Sequence, residues 1–246
     1  MTGAEIWHDL ECGSYDADLR LWEELTGEHL SVLDLGSGTG RVSLHLSRRG
    51  RAVTSVDMDA VLAGVLEQRA AAQDLDIAVV CADVRKLDIG REFDVVLAPM
   101  QLVQLMRGAE ELEALLKRAA RHVRPGGIFA AALMDLEGEV VGDEYDPPTP
   151  DMREIDSWVY SSQPVAIRPV QGGRAIVLDR VRTAVSPEGN QTTTLSCVRL
   201  DLVSPDLLEA EMRKAGLVPR ERRTIPPTDD HVGSVVVIGT APGAPR

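Results

Sequence analysis

Three glycines on alternate positions run through the stretch VLDLGSGTGR, residues 32–41, and an acid, Asp34, stands two residues before the first of them. Gly36, Gly38 and Gly40 allow φ > 0 and let a ligand touch main chain where a Cβ would stand in the way. Glycine also serves turns that bind nothing, so the loop alone decides little. Two more acids sharpen the reading. Asp57, in SVDMDA, can accept both hydroxyls of a ribose. Asp83, in CADVRKLD, can accept from an adenine amino group, with the Val84 backbone N–H as a donor beside it. Each acid taken singly reads equally well as a helix cap or a solvated loop residue. In consecutive strand ends they point together to a nucleoside-bearing ligand. Downstream, APMQLVQ offers the amides of Gln101 and Gln104 as hydrogen-bond partners for a substrate. His231, in PPTDDHVGS, is the candidate general base because imidazole titrates in the useful range. A lone histidine before a strand is more often structural, and that alternative stays open. Asp135 follows an apolar strand at the same edge.

These residues need a frame that brings strand ends together. SVLDL (31–35), AVTSV (52–56), DIAVVCA (76–82), FDVVLAP (93–99) and IFAAALM (128–134) read as apolar strands. Between them, residues 41–50, 60–73 and 111–123 carry helical spacing, the last with Leu112, Leu115, Leu116 and Ala119 on one face. RPGG at 124–127 breaks that helix. Alternating strands and helices with near-continuous apolar strands predict a parallel sheet covered on both faces. Such sheets bind ligands beyond the C-terminal ends of their strands, where strand order reverses. After residue 134 the rhythm changes. Residues 137–151 are acidic and loop-like, and 155–162, 174–186 and 191–203 read as antiparallel strands. Residues 204–216 form a helix with Ser204 as cap and Pro205 at its first position. LVPRERR and VGSVVVIGT close the pattern as a strand pair.

Bulk properties narrow the partners. The 246 residues carry a formal charge of −13, which repels phosphate backbones and anionic membrane surfaces. Nucleic acid is disfavoured as a substrate, and RERR at 220–223 reads as a solvated strand edge. No apolar run is long enough to cross a bilayer, and the first residues lack a secretion signal. Cys12, Cys81 and Cys197 are few and far apart, as expected for thiols in a reducing cytoplasm. The five histidines show no paired-ligand spacing, so no metal site is expected.

Residues 32–134 resemble the core of class I S-adenosylmethionine-dependent methyltransferases. VLDLGSGTGR is similar to that family's first motif, VDMDA to its acidic ribose motif and CADVRKLD to its adenine motif. FDVVLAPM and HVRPGGIFAAAL resemble its fourth-strand and fifth-strand segments. The resemblance implies a Rossmann-like α/β fold. It has a seven-stranded, mostly parallel sheet with helices on both faces, an antiparallel last strand and an antiparallel β insert. It implies S-adenosylmethionine as cofactor, with Gly36, Ser37, Gly38 and Gly40 bordering its methionine part and Asp34 helping to hold its amino group. Asp57 and the adjacent Met58 would take the ribose, and Asp83 and Val84 the adenine. Pro99, Met100 and Gln101 would lie beside the sulfonium and the substrate. GSYDADLRLWEEL resembles the N-terminal lid of small-molecule N-methyltransferases such as the glycine and amino-sugar enzymes, which implies that Tyr15 approaches the cofactor.

The implied organisation is an N-terminal helical lid (1–30), a core (31–134 and 204–241) and an insert (135–203) acting as substrate lid and candidate homodimer contact. Six of the eight aromatics, Trp7, Tyr15, Trp22, Tyr145, Trp158 and Tyr160, lie outside the core sheet. They either face a substrate, with Tyr145 the candidate in the insert, or anchor the outer segments. The end of the fourth strand lacks the Asn/Asp-Pro-Pro-aromatic signature of amide- and base-directed members. A small-molecule acceptor, methylated on N rather than O, is therefore the expectation. The rivals are a nicotinamide-dependent oxidoreductase, whose loop spacing is G-x-G-x-x-G, and a non-enzymatic S-adenosylmethionine binder.

Overall fold

The computed structural model describes residues 3–27, 30–134, 147–228 and 231–243. Its helices are α1 (Ala4–Cys12), α2 (Leu19–Thr26), α3 (Arg41–Ser47), α4 (Ala60–Ala71), α5 (Gly108–His122) and α6 (Pro205–Lys214). The first strands are β1 (Ser31–Leu35), β2 (Ala52–Asp57), β3 (Ile77–Cys81), β4 (Phe93–Ala98) and β5 (Val123–Met134). Then come β6 (Asp151–Ile155), β7 (Trp158–Val170), β8 (Ala175–Val185), β9 (Gln191–Asp201), β10 (Val218–Pro219), β11 (Arg223–Ile225) and β12 (Ser234–Thr240). Two compact units result. One comprises Met1–Ser14 and Leu136–Leu202, the other Tyr15–Asp135 and Val203–Arg246. The N-terminal segment 1–30 is therefore shared between the two units.

In the larger unit the strand order is β10-β12-β5-β4-β1-β2-β3, with β11 also on β12. β1 to β5 run parallel, and β12 runs antiparallel to β5. This is the expected sheet, with β11 as an added short strand. Strand order reverses beside β1: the chain leaves it toward β2 and returns on its other side as β4. Side chains alternate between faces, as the period of two requires. Leu33, Leu35, Val96 and Phe129 pack with Leu115, Leu116 and Met212 from α5 and α6. Val32, Val95, Leu97 and Ala130 pack with Trp22, Val42 and Leu46 from α2 and α3. Asp34, between Leu33 and Leu35, falls on the α2/α3 face. No helix among the described residues is long and apolar enough to cross a membrane.

The strand at 128–134 begins earlier than its apolar run. α5 stops at His122, but β5 starts at Val123 and carries Arg124, Pro125, Gly126 and Gly127 within the sheet. Gly126 N–H donates to the Ala241 carbonyl, and Ala241 N–H donates to the Gly127 carbonyl, both at 3.0 Å. Those bonds, with the Arg124–Asp94 ion pair at 2.6 Å, hold a segment that buries little apolar side chain.

The smaller unit is a four-stranded antiparallel sheet, β6-β7-β8-β9, with α1 packed on it. Residues 155–162 do not form one strand. Asp156 and Ser157 both adopt positive φ, 50° and 66°, and pair Ile155 with Trp158 across a two-residue hairpin. Consecutive left-handed residues match the twist of the flanking strands. Trp7 meets Tyr160 edge-on at 5.5 Å, and Leu10 and Ala184 complete the cluster. Glu11 accepts from Arg182 at 2.6 and 2.7 Å and from the Ser162 hydroxyl at 2.7 Å. Burial alone would raise the Glu11 carboxyl; these bonds outweigh it and hold it low. Trp7 and Tyr160 thus build this unit's own core, and Trp22, fully buried, builds the other's.

Candidate active site

The loop after β1 is made of backbone conformations that side chains resist. Gly36, Gly38 and Gly40 have φ of 67°, 54° and 96°. A Cβ on Gly40 would lie 2.2 Å from Leu66 Cδ1, and one on Gly36 would lie 2.9 Å from Leu102 Cδ1. All three glycines are therefore required by conformation, and Gly36 and Gly40 also by space. Ser37 N–H donates to the Val56 carbonyl at 3.0 Å, which ties the loop to β2.

The three acids differ in setting. Asp57 ends β2 and is pinned by Gly38 N–H on Oδ2 at 2.8 Å and Asp59 N–H on Oδ1 at 2.9 Å. Each oxygen keeps a lone pair, as a carboxylate receiving a diol needs. Asp83 lies just past β3, clasped by Arg85 through Nε and Nη2 and by the Arg85 N–H. The Arg85 guanidinium holds the Asp83 carboxyl below its ordinary range. Asp34 is buried. The Ser43 hydroxyl donates to its Oδ2 at 2.5 Å, while Oδ1 is buried with no hydrogen-bond partner. Burial pushes this carboxyl up to about 7, against the lowering effects of Ser43 and Arg41. The Ser37 hydroxyl is also buried without a partner. A loop with two orphaned polar atoms fits a ligand that brings its own donors, such as the ammonium of an amino acid.

At the end of β4, Pro99 leads into Met100, whose φ of 53° is strained for a non-glycine residue. Gln101 then opens the turn at Leu102–Leu105. Gln104, the other amide expected to meet a substrate, is 2% exposed, and its Oε1 accepts from Met134 N–H at 2.7 Å, so its amide oxygen holds the end of β5. Met58 is 69% exposed beside Asp57, and Val84 is buried beside Asp83.

His231 precedes β12, and Ser234 pairs with Met134, so the histidine stands at the C-terminal edge of the parallel strands. Its ring lies 4.8 Å from that of Tyr15. Arg41 sits over the other neighbour of this pair: its guanidinium is 5.2 Å from the Tyr15 ring and donates to the Tyr15 carbonyl at 2.8 Å. Burial, with the Asp18 charge, raises the Tyr15 hydroxyl above its ordinary pKa. Asp135 and Tyr145 lie outside the described residues, as does the acidic loop containing Asp143, Glu144 and Asp146. No cluster of metal-ligating side chains occurs among the described residues.

Four residues were not found from sequence. Arg41 forms a two-bond fork with Asp18 at 2.5 and 2.8 Å, and Trp22 Nε1 donates to the same carboxylate at 2.7 Å. Ser43 and Ser55 sit behind Asp34 in buried contact. The available signals were the arginine directly after the third glycine and serines set among apolar residues in VSLHL and AVTSV.

A parallel sheet that reverses beside β1, a glycine loop there, acids at the next strand ends and an antiparallel last strand define the methyltransferase fold. A sugar N-methyltransferase from Streptoalloteichus sp ATCC 53650 superposes with a TM-score of 0.74 at 19% identity, covering 96% of this chain and 91% of that one. Residues 32–127 match the family described as a methyltransferase domain. A cypemycin N-terminal methyltransferase from Streptomyces sp is 39% identical over 105 residues, 43% of this chain and 41% of that protein. A ubiquinone biosynthesis O-methyltransferase from Paramagnetospirillum magneticum is 31% identical over 123 residues, 48% of each. The chain spans about half the length of the curated relatives it matches.

Proposed function

We propose that the chain is an S-adenosylmethionine-dependent methyltransferase acting on a small molecule, on nitrogen rather than oxygen. The observation that carries this reading is the loop after β1. Its glycines have positive φ, its Gly38 N–H fixes Asp57, and it lies over a buried Asp34 with one orphaned oxygen. Bound there, S-adenosylmethionine supplies a methyl group on a positively charged sulfur. Asp34 would hold the amino group, Asp57 the ribose hydroxyls, and Asp83 with Val84 N–H the adenine. Gln101, Pro99 and Met100 line the end of β4 as the candidate acceptor side. His231 would take the proton that an acceptor sheds.

Much of the rate in such a displacement comes from holding the acceptor in line and excluding water. An amine needs only to arrive neutral, whereas a hydroxyl needs a base placed on it. The solved neighbour is a sugar N-methyltransferase by name and the 39% identical relative an N-terminal methyltransferase by name, which supports nitrogen. Acceptor choice is assigned to residues 135–203. The charge of −13 supports a small molecule over nucleic acid, and the absence of disulfides among the three cysteines fits a cytoplasmic setting. The outer strand of the insert, β9, exposed and uncharged from Gln191 to Leu195, supports a homodimer.

The test is calorimetric titration with S-adenosylhomocysteine and, in parallel, NAD⁺, on wild type and Asp57→Ala. Binding of the first alone, lost in the variant, is the expected result. Binding of NAD⁺ instead replaces the methyltransferase by an oxidoreductase. Turnover of candidate amines then separates an enzyme from a non-enzymatic binder.

A further inference from the structure

Behind the glycine loop runs a line of buried polar groups that ends on Asp34 and includes two serines with no role in the proposed reaction. Ser55 Oγ donates to Ser43 Oγ at 2.7 Å, and Ser43 Oγ donates to Asp34 Oδ2 at 2.5 Å. The three residues come from β2, α3 and β1, and all are buried. A hydroxyl has a single proton to give. Ser55 spends its proton on Ser43, and Ser43 spends its own on the carboxylate, so the line is polarised toward Asp34. Such a line stabilises the anion on one oxygen and leaves the other, Oδ1, without a partner.

The charges acting on this carboxylate come from every neighbouring element. Arg41 at the start of α3 favours the anion. Asp57 at the end of β2 and Asp18 before α2 oppose it. Burial outweighs them all, and the carboxyl titrates at about 7 in the ligand-free protein. Near neutral pH the site is therefore part protonated.

We propose that Ser43 and Ser55 are positioning residues that keep Asp34 poised to exchange its proton for the ammonium of the cofactor's amino-acid end. Cofactor binding then releases a proton to solvent and leaves a buried carboxylate–ammonium pair. This rests on the cofactor reading given above. The hydroxyl line sets the pH at which the exchange occurs, because it is the donor that the anion keeps and the acid does not need.

The experiment is calorimetry with S-adenosylhomocysteine, which carries the same amino-acid end, between about pH 6 and pH 8. It is run in two buffers of different ionisation enthalpy, so that proton release is read directly. Wild type should bind about tenfold more weakly at pH 6 than at pH 8 and release about half a proton at pH 7, as a group titrating near 7 requires. Ser43→Ala removes the donor to the anion, so the profile should move to higher pH while affinity recovers at its alkaline end. Ser55→Ala should shift it the same way by less. Asp34→Asn should flatten it. The wild-type proton count needs no variant to fold. Binding with no pH dependence and no proton release overturns the proposal, and so does a Ser43→Ala loss equal at every pH. Absence of binding at any pH instead overturns the cofactor reading, and this proposal with it.

Discussion

A carboxyl buried in the middle of β1 works against the stability of the empty protein. Asp34 binds its proton at about 7 when folded but near 4 when unfolded. Between those values the folded state holds more protons, so stability falls as pH rises through the window and levels off above it. Asp34→Asn removes that slope. Denaturant unfolding at pH 5 and pH 8 should show the variant's advantage over wild type growing by a few kcal/mol between the two; a parallel offset at both would contradict it. Gly40 makes the opposite case. Its φ of 96° and the 2.2 Å approach to Leu66 leave no room for a methyl group. Gly40→Ala should cost about 2–4 kcal/mol in the same assay, since backbone strain and overpacking act together. The residue types of this site were legible because acids and glycines are rare inside apolar strands and at their ends. The bonded amide oxygen of Gln104 was not, because its partner is a backbone N–H thirty positions away in the chain. Nor were Ser43 and Ser55, whose role depends on which face of α3 turns toward β1.

At the scale of elements, apolar periodicity located strands well wherever both faces are buried. β1 occupies the predicted residues 31–35, and β2 and β4 differ from expectation by one residue at one end. Pattern failed where backbone geometry decides. The turn at Asp156 and Ser157 sits inside an apparently continuous strand signal, and β5 extends through a proline and two glycines on hydrogen bonds to Ala241. α2 is fixed by charge as much as by packing. The Arg41 and Asp18 side chains are only 9% and 2% exposed, and Asp18 also takes the Trp22 indole N–H. Asp18→Ala leaves a cation and a donor buried without that partner and should cost about 3–5 kcal/mol. The double variant Asp18→Ala/Arg41→Met should recover much of that loss, which a thermal-melt cycle would read. β9 poses a different question. From Gln191 to Val198 it carries no charge, and Leu195 is 64% exposed. Edge strands are ordinarily guarded by charge or proline. If β9 pairs with a second copy, light scattering should give a dimer for wild type and a monomer for Leu195→Lys; a monomeric wild type ends that idea.

Over the whole molecule, a charge of −13 sets up a field that reaches beyond any single contact. S-adenosylmethionine carries a net positive charge and S-adenosylhomocysteine none. Stopped-flow association should therefore slow for the first as salt rises from about 20 to 200 mM, and stay nearly constant for the second. Equal salt dependence of the two would show that the field plays no part in capture. Basic side chains do not cancel this field locally at RERR, because Arg222 is paired with Asp206 and Glu209, and Arg223 with Glu24.

The pairing of β5 with β12 joins Met134 to Ser234, positions a hundred residues apart in the chain. On the ribosome, elongation at about 5–20 residues per second separates the two by roughly 5–20 s. Throughout that interval Ala130, Ala131, Ala132 and Leu133 belong to a strand that has β4 on one side but whose antiparallel partner β12 has not been synthesised, and the insert sequence emerges while that edge stands open. The nascent chain therefore passes through a long sticky stage before β12 emerges. Its yield in a cell should depend on chaperone supply and translation speed over codons 135–233 more than on the final stability of the fold.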